Sequence, residues 1–210
     1  MGGRSTQTNV KVVVRCRPLS SGEVERGERR PRSSLAVDSA KSCVAVKTDA
    51  GGPPRCFVFD RVFAAQACQQ EVYQEAARAA VMSTAQGFNA TVFAYGQTGS
   101  GKTYTMQGHR DGDDRGIIPR AVADIFDAIR SSSTECGSKF LVRASFLEIY
   151  NDAISDLIRV ERSGLQLREH QRSGVYVEGL SEVSRRTIIV IALRRLRSIL
   201  PFLSPPLHFV

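Results

Sequence analysis

The sequence predicts an α/β fold in which a central, mostly parallel β-sheet carries helices on both faces. Two observations support this prediction. Segments rich in β-branched residues alternate along the chain with segments whose apolar residues recur at helical spacing. In addition, one continuous apolar run, Ala90–Tyr95, leads directly into a glycine-rich loop and then a further helical segment. A run that is apolar throughout is typical of a strand covered on both faces.

Before the glycine-rich loop, three runs rich in β-branched and aromatic residues predict strands: Asn9–Arg15, Leu35–Lys47 and Cys56–Phe63. Pro18 ends the first of these strands, and a turn around Ser39–Ser42 divides the second. Gln69–Ala85 has apolar residues at helical spacing. Gly87 follows this segment and favours a helix C-terminus there.

After the loop, Pro119–Arg130 predicts an amphipathic helix that has a proline in its first turn. Phe140–Tyr150 then predicts a long strand. Leu165–Arg168 and Val175–Val177 flank a turn at Ser173-Gly174, and this arrangement predicts a β-hairpin.

The composition indicates a soluble globular protein. The chain has 210 residues, of which 42% are hydrophobic and 24% charged, which suits one domain or two small ones. The net charge of +8 fits either an acidic partner or simple solubility. The arginines form separate patches rather than one stripe, so no nucleic-acid partner is predicted. No stretch approaches the roughly 18 apolar residues that a membrane span needs.

The five cysteines predict reduced thiols. Their number is odd and no pair has C-x-x-C spacing, so neither a zinc site nor a disulfide framework is indicated. Residues 1–8 are polar and lack the apolar core of a signal peptide. We therefore expect free thiols in a cytosolic protein.

The glycine-rich loop matches the phosphate-binding pattern G-x-x-x-x-G-K-[ST] at every fixed position: Gly96-Gln97-Thr98-Gly99-Ser100-Gly101-Lys102-Thr103. Glycines let the backbone curl so that its amide N–H groups face a phosphate, and the helix that follows adds its dipole. Lys102 would place its charge between the β- and γ-phosphates, and the hydroxyl of Thr103 would bind Mg²⁺. These two side chains are the candidate catalytic residues.

The alternative for this loop is a surface turn that binds nothing. The predicted strand before the loop and the predicted helix after it favour phosphate binding, because this order of elements is the context in which the motif functions. The pattern occurs in GTPases, ATPases, small-molecule kinases and motors, so it does not identify the base.

A wider block, residues 93–108, resembles the F-A-Y-G-Q-T-x-S-G-K-T-x-T-M-x-G signature of kinesin motor heads. Five more blocks resemble motifs of that family and follow its order: Val13–Leu19, Phe59–Phe63, Gly116–Arg120, Ser145–Asp152 and Val175–Leu180. The resemblance implies a P-loop NTPase fold of kinesin type, truncated. It divides the chain into a polar extension (1–8), a partial motor domain (9–186) and an apolar, arginine- and proline-rich tail (187–210).

The resemblance implies that the nucleotide is ATP, bound together with Mg²⁺. Arg15, Arg17 and Pro18 would form the wall beside the adenine, with Arg15 stacking on the base through its planar guanidinium. Tyr104 occupies a position where kinesins place an aromatic or histidine side chain beside the base. Apart from the family, the two arginines also fit a solvated strand end.

The resemblance further implies a microtubule partner and a cytoplasmic, cytoskeletal location. Residues 168–172 correspond to a minor tubulin contact of kinesins, so Arg168 and Arg172 are candidates to face the acidic tubulin surface. The alternative is an ordinary charged turn, because charges at the rim of an interface mainly affect encounter rates.

Two other blocks of the family, N-x-x-S-S-R-S-H and D-L-A-G-S-E, are not found in the sequence, and the family pattern fades after about Arg186. Phosphoryl transfer needs a clamp on the γ-phosphate and an aligned water in addition to a phosphate cradle. We therefore expect slow hydrolysis or none. The hypotheses are a kinesin-type motor ATPase, a nucleotide-binding but non-motile and hydrolysis-deficient product, and a different P-loop ATPase or GTPase.

Overall fold

The computed structural model describes residues 10–25, 35–47, 52–109, 112–137, 139–171 and 174–184. The chain divides into two compact units, Met1–Ala79 and Ala80–Val210. Both strands and helices are present, as the predicted α/β class requires. In the ranges given above, the strands form five small sheets, and β1–β5 is the one parallel pair among them.

Among its described residues, the first unit has five strands: β1 (Val13–Arg15), β2 (Leu35–Asp38), β3 (Cys43–Val46), β4 (Arg55–Val58) and β5 (Arg61–Phe63). β1 pairs in parallel with β5, while β2, β3 and β4 form an antiparallel meander. The turn predicted around Ser39–Ser42 is confirmed, because the amide of Ser42 donates to the carbonyl of Ser39. Val62 and Phe63 are almost completely buried and belong to the core of this unit.

The helical segments that begin in the first unit are α1 (Ser21–Glu25), α2 (Gln69–Val72), a π-helical stretch (Tyr73–Ala77) and α3 (Arg78–Thr84). The last three are continuous and confirm the helix predicted over Gln69–Ala85. Cys68 caps this helix, since its Sγ accepts the amide of Glu71 at 3.4 Å. Val72 and Tyr73 are buried, which explains the helical spacing of apolar residues in the sequence.

The prediction of reduced thiols is wrong for two cysteines, because Cys43 and Cys56 form a disulfide. In the β3–β4 ladder Cys43 lies opposite Val58, and Cys56 lies opposite Ala45, so the cysteines are diagonal neighbours. Their Cα atoms are 6.4 Å apart, within the range that a disulfide spans. The strand register brings these residues together, whereas their spacing in the sequence matches no motif.

The described part of the second unit has seven strands: β6 (Arg143–Ala144), β7 (Leu147–Tyr150), β8 (Ala153–Asp156), β9 (Ser163–Leu165), β10 (Leu167–His170), β11 (Gly174–Val177) and β12 (Val183–Ser184). β7, β8 and β9 form one antiparallel sheet, and β10–β11 and β6–β12 are antiparallel pairs. The β10–β11 pair confirms the two antiparallel strands of the predicted hairpin. Of the predicted turn residues, Gly174 lies in β11 and Ser173 lies outside the described residues. Asn151 and Asp152 have φ angles of 49° and 62° and form the tight turn between β7 and β8.

The second unit also contains α4 (Lys102–Met106), a short 3₁₀ turn (Gly112–Asp114) and α5 (Ile117–Cys136). α5 confirms the helix predicted over Pro119–Arg130 and extends it at both ends. The strand predicted over Phe140–Tyr150 is interrupted, so only its parts in β6 and β7 are paired.

The central strand predicted at Ala90–Tyr95 is not formed. These residues have no ladder partner, and the exposed fractions of Phe93 and Tyr95 are 70% and 96%. A strand requires a neighbouring backbone to accept and donate its hydrogen bonds, and no strand within the described ranges pairs with this run. An apolar run alone therefore did not determine strand structure here.

Candidate phosphate-binding site

The loop that precedes α4 has a backbone that depends on glycine. Gly99 and Gly101 have φ angles of 77° and 96°, in the left-handed region that other residues rarely adopt. A Cβ atom at Gly96 would lie 2.5 Å from the Oγ of Ser100, so a side chain there would collide with the loop. The amide of Ser100 donates to the carbonyl of Gln97 at 3.1 Å and closes the turn. The backbone conformation at Gly99 and Gly101 and the close approach of Ser100 to Gly96 therefore explain why glycine occupies these positions.

Lys102 directs its ammonium group back into this loop. Its Nζ donates to the carbonyl oxygens of Gly96 at 2.7 Å and Gln97 at 3.0 Å. The side chain is half-buried, and the hydroxyl-bearing Thr103 beside it is exposed. The loop thus holds one positive charge at its centre, with an exposed hydroxyl at the adjacent position. α4 has only five residues, so the charge and the loop amides matter more here than a helix dipole.

Tyr104 is anchored to the segment that links α4 to α5. Its hydroxyl donates to Oδ1 of Asp114 at 3.1 Å, and its ring meets that of His109 edge-on at 5.6 Å between centroids. The amide of Gly116 donates to the carbonyl of Gln107 at 2.9 Å and closes this segment at its base. The position of the Tyr104 ring is therefore coupled to the fold of the link between the two helices.

Arg15 lies in the first unit and is held by polar contacts. Its Nη1 donates to Oε1 of Gln69 at 2.8 Å, and its Nη2 donates to the carbonyl of Ala67 at 3.3 Å. Gln69 is almost completely buried. These bonds join the end of β1 to the start of α2, so Arg15 has a structural part in the first unit that sequence analysis did not foresee.

Arg17 and Pro18 lie just after β1, also in the first unit. Arg17 forms a two-pronged ion pair with Glu23: Nη1 lies 2.6 Å from Oε2 and Nη2 lies 2.5 Å from Oε1. The pKa of Glu23 lies far below its usual range, chiefly because of the bond from Arg17 and then that from the amide of Ser20. Pro18 is exposed. The structure thus brings Arg17 and Pro18 together on one fixed turn.

Two carboxylates with structural roles were missed in the sequence. Glu23 could have been found from the capping pattern S-x-x-E at Ser20–Glu23. Asp156 carried no such signal for its bond to Ser181, which lies 25 positions further along the chain. It is fully buried and accepts backbone amides from Ile158 at 2.7 Å and Ser181 at 2.9 Å.

Of the two arginines proposed to face tubulin, Arg168 lies on β10 and is exposed. Its Nε donates to Oε2 of Glu178 at 3.1 Å. Arg172 lies outside the described residues.

Within the described ranges, no group of three or more His, Cys, Asp or Glu side chains is placed to hold a metal ion. A search of the same ranges finds no helix with the length and apolarity to cross a membrane.

The loop has both the sequence pattern and the glycine-dependent backbone of the P-loop class. A family model for the kinesin motor domain matches residues 15–192. The chain therefore belongs to the kinesin motor domain family.

Curated relatives agree with this assignment. Kinesin-like protein klp-20 of Caenorhabditis elegans is 44% identical over 175 residues, which is 82% of this chain and 26% of that protein. Kinesin-like protein KIF3C of Bos taurus is 42% identical over 184 residues, which is 85% of this chain and 22% of that protein. The chain thus spans about a quarter of the length of these relatives.

The fold is also that of a solved kinesin. A structure described as that of a fast kinesin, with implications for ATPase mechanism and interactions with microtubules, superposes with a TM-score of 0.80. The two sequences are 34% identical, and the match covers 90% of this chain and 53% of the other. The kinesin-type fold predicted from the motif blocks is therefore confirmed.

Proposed function

We propose that this chain binds ATP with Mg²⁺ through Gly96–Thr103 as part of a microtubule-dependent motor ATPase. The observation that carries the proposal is the position of Lys102, whose ammonium group is held at the centre of a glycine loop. Such a loop offers a polyphosphate both a positive charge and inward-facing amides. A nucleotide bound there would replace the loop carbonyls as the partner of this ammonium group.

Each loop residue has a distinct role in this proposal. Lys102 neutralises oxygens of the β- and γ-phosphates, and Thr103 offers its exposed hydroxyl to Mg²⁺. Mg²⁺ would polarise the phosphates and offset their charge. Gly96 leaves no room for a Cβ beside Ser100, and Gly99 and Gly101 supply the left-handed backbone that shapes the loop. These roles bind and orient the polyphosphate and do not by themselves supply a group that activates water.

The family resemblance supports Arg15, Arg17, Pro18 and Tyr104 as candidate adenine-binding residues. Arg15 stays the guanidinium proposed to stack on the base, and its bonds to Gln69 and Ala67 would fix its orientation. The same resemblance supports microtubules as the partner and the cytoskeleton as the location. Arg168 is exposed on its hairpin and stays a candidate for a minor tubulin contact.

The test is a titration of the chain with a fluorescent ATP analogue in the presence of Mg²⁺. Lys102→Ala should weaken binding about 10- to 150-fold, which corresponds to the roughly 1.5–3 kcal/mol of a hydrogen bond to a charged group. Lys139→Ala is the matched control, because it removes the same charge from an exposed side chain of the same unit. Equal affinities for both variants would contradict the proposed role of the loop.

A second candidate function is nucleotide binding without turnover. The side chains of the loop bind and orient phosphate and none of them activates water, which favours this candidate. Phosphate release from Mg·ATP, with and without microtubules, separates the two functions when Lys102→Ala provides the background rate. Release above this background that microtubules stimulate would support the motor ATPase, and release at background level would support the second candidate.

A further inference from the structure

The Cys43–Cys56 disulfide joins a central strand of the meander to its edge strand. β3 lies between β2 and β4, and among the described residues β4 has β3 as its one ladder partner. Side chains two residues apart on a strand share a face, so Cys56 lies on the same face as Val58, the residue opposite Cys43. The cross-link therefore runs along one face from the middle of this sheet to its edge.

The two cysteines differ in their exposure to solvent. Cys43 is only 8% exposed, and its neighbour Val44 is 7% exposed. Because consecutive side chains of a strand point to opposite faces, the burial of both residues means that this end of β3 is covered on both faces. All four residues of β4, including Cys56, are exposed. One end of the disulfide is thus covered by protein, whereas the other lies at the surface.

This difference decides which sulfur a small thiol can reach. In thiol–disulfide exchange a thiolate approaches one sulfur in line with the S–S bond, from the side away from the other sulfur, so access selects the sulfur that is attacked. Attack on Cys43 would need an approach through the covered part of β3. Attack on Cys56 comes from the side of the exposed edge strand.

We propose that this pair is a redox-sensitive modification site, at which Cys56 accepts a small thiol of the glutathione class and Cys43 is the resolving cysteine. The incoming thiolate bonds to Sγ of Cys56, the Sγ–Sγ bond breaks, and its electron pair leaves with Sγ of Cys43, which takes up a proton. One disulfide replaces another, so no oxidant is consumed. In the reverse step the thiolate of Cys43 attacks Sγ of Cys56, expels the small thiol and restores the cross-link.

Backbone bonds keep the two cysteines close when the cross-link is open. The β3–β4 ladder does not involve their side chains, and directly after β4 the amide of Phe59 donates to the carbonyl of Ser42 at 2.9 Å. The opened form therefore keeps its strand register, and Cys43 stays within reach of Cys56. The site lies in the first unit and does not depend on nucleotide binding.

The experiment maps where glutathione attaches. The oxidised full chain is given a short pulse of reduced glutathione, quenched in acid, alkylated with N-ethylmaleimide in denaturant and mapped by mass spectrometry. Mixed disulfide on Cys56 should exceed that on Cys43 about 10-fold or more. The same pulse on the chain unfolded in urea is the matched control. There the preference should shrink to about 3-fold or less, because the charge of Arg55 beside Cys56 acts in both states, whereas burial acts only in the folded one.

Two single-cysteine variants give a second readout with oxidised glutathione, and circular dichroism checks that each is folded. Folded Cys43→Ser should form the mixed disulfide at Cys56, whereas Cys56→Ser should leave Cys43 unmodified until urea unfolds the chain. Equal modification of both cysteines in the folded wild type would overturn the inference. An undiminished preference in urea would overturn it too, since local charge and not burial would then direct the attack. Recovery of Cys43 and Cys56 as free thiols from the untreated chain would equally overturn it.

Discussion

Asp156 offers the sharpest test of how the second unit is held together. One carboxylate oxygen accepts the amides of Ile158 at 2.7 Å and Arg159 at 3.0 Å, and the other accepts the amide of Ser181 at 2.9 Å. Burial, the largest influence, raises the pKa of this carboxyl, but the bonds from Ser181 and the backbone amides together outweigh burial and lower the pKa. The buried charge thus joins the end of β8 to the segment before β12.

The expected loss in the free energy of unfolding follows from the number of amide donors that lose their acceptor. Asp156→Ala leaves three partly buried amides without this acceptor, and an unsatisfied buried group costs about 1–3 kcal/mol. Water that reaches some of these amides lowers the sum, so we expect a loss of about 3–5 kcal/mol in the free energy of unfolding. Asp156→Asn keeps one oxygen but turns an NH₂ group towards the amide of Ser181, and it should lose about 1–3 kcal/mol.

The assay is urea unfolding, combined with hydrogen exchange of the amides in β8 and at Ser181. With a slope of about 2 kcal/mol per molar urea, the loss in Asp156→Ala moves the midpoint down by roughly 1.5–2.5 M. Asp152→Asn is the control, because Asp152 is exposed and its positive φ suits asparagine. A midpoint for Asp156→Ala that matches the control would refute the reasoning.

The same carboxylate predicts a pH dependence with a definite sign. Its pKa is lower in the folded chain than the ordinary value of about 3.9, so its stabilisation is complete above that value. The stabilisation is lost as the pH falls through the lowered pKa. The stability difference between wild type and Asp156→Asn should therefore be constant near neutral pH and shrink below about pH 4. A difference that grows towards acid would contradict the assigned shift.

Two further predictions concern packing and covalent structure. A Cβ at Gly116 would lie 2.6 Å from the backbone of Met106, so Gly116→Ala should lose about 1–3 kcal/mol in urea unfolding, and an unchanged midpoint would contradict the contact. Reduction of the Cys43–Cys56 disulfide, which closes a loop with a sequence separation of 13, should lower the free energy of unfolding by about 3 kcal/mol. Peptide mapping without reductant should recover Cys43 and Cys56 in one linked peptide pair. Recovery of both cysteines as free thiols would refute the disulfide.

The sequence predicted an element correctly where its structure depends on residues close to it in the chain. β10 and β11 are short strands close together in the sequence, and α5 combines apolar spacing with a proline near its start, so both were found from the sequence. Ala90–Tyr95 was not, because its apolar character suits a covered strand but strand formation depends on a partner elsewhere in the chain.

The residues discussed for the candidate site and its surroundings also fall into two groups: those that a local sequence pattern predicts and those whose contacts form only in the folded chain. The loop is a run of consecutive residues, so its pattern can be predicted completely from the sequence. Glu23 acts over six positions on Arg17, and Asp156 acts over 25 positions on Ser181, so these contacts depend on the folded chain. The Cys43–Cys56 pair belongs to the second group, since it follows from the register of β3 and β4.

This division bears on function, because nucleotide binding and nucleotide turnover depend on different parts of a sequence. The proposed phosphate cradle consists of eight consecutive residues, Gly96–Thr103, with one lysine held by the loop carbonyls. Turnover also needs a clamp on the γ-phosphate and an aligned water, which no side chain of this loop provides. Binding that depends on Lys102 would therefore establish the cradle without establishing catalysis. Only phosphate release above the Lys102→Ala background would show that the chain supplies the remaining groups.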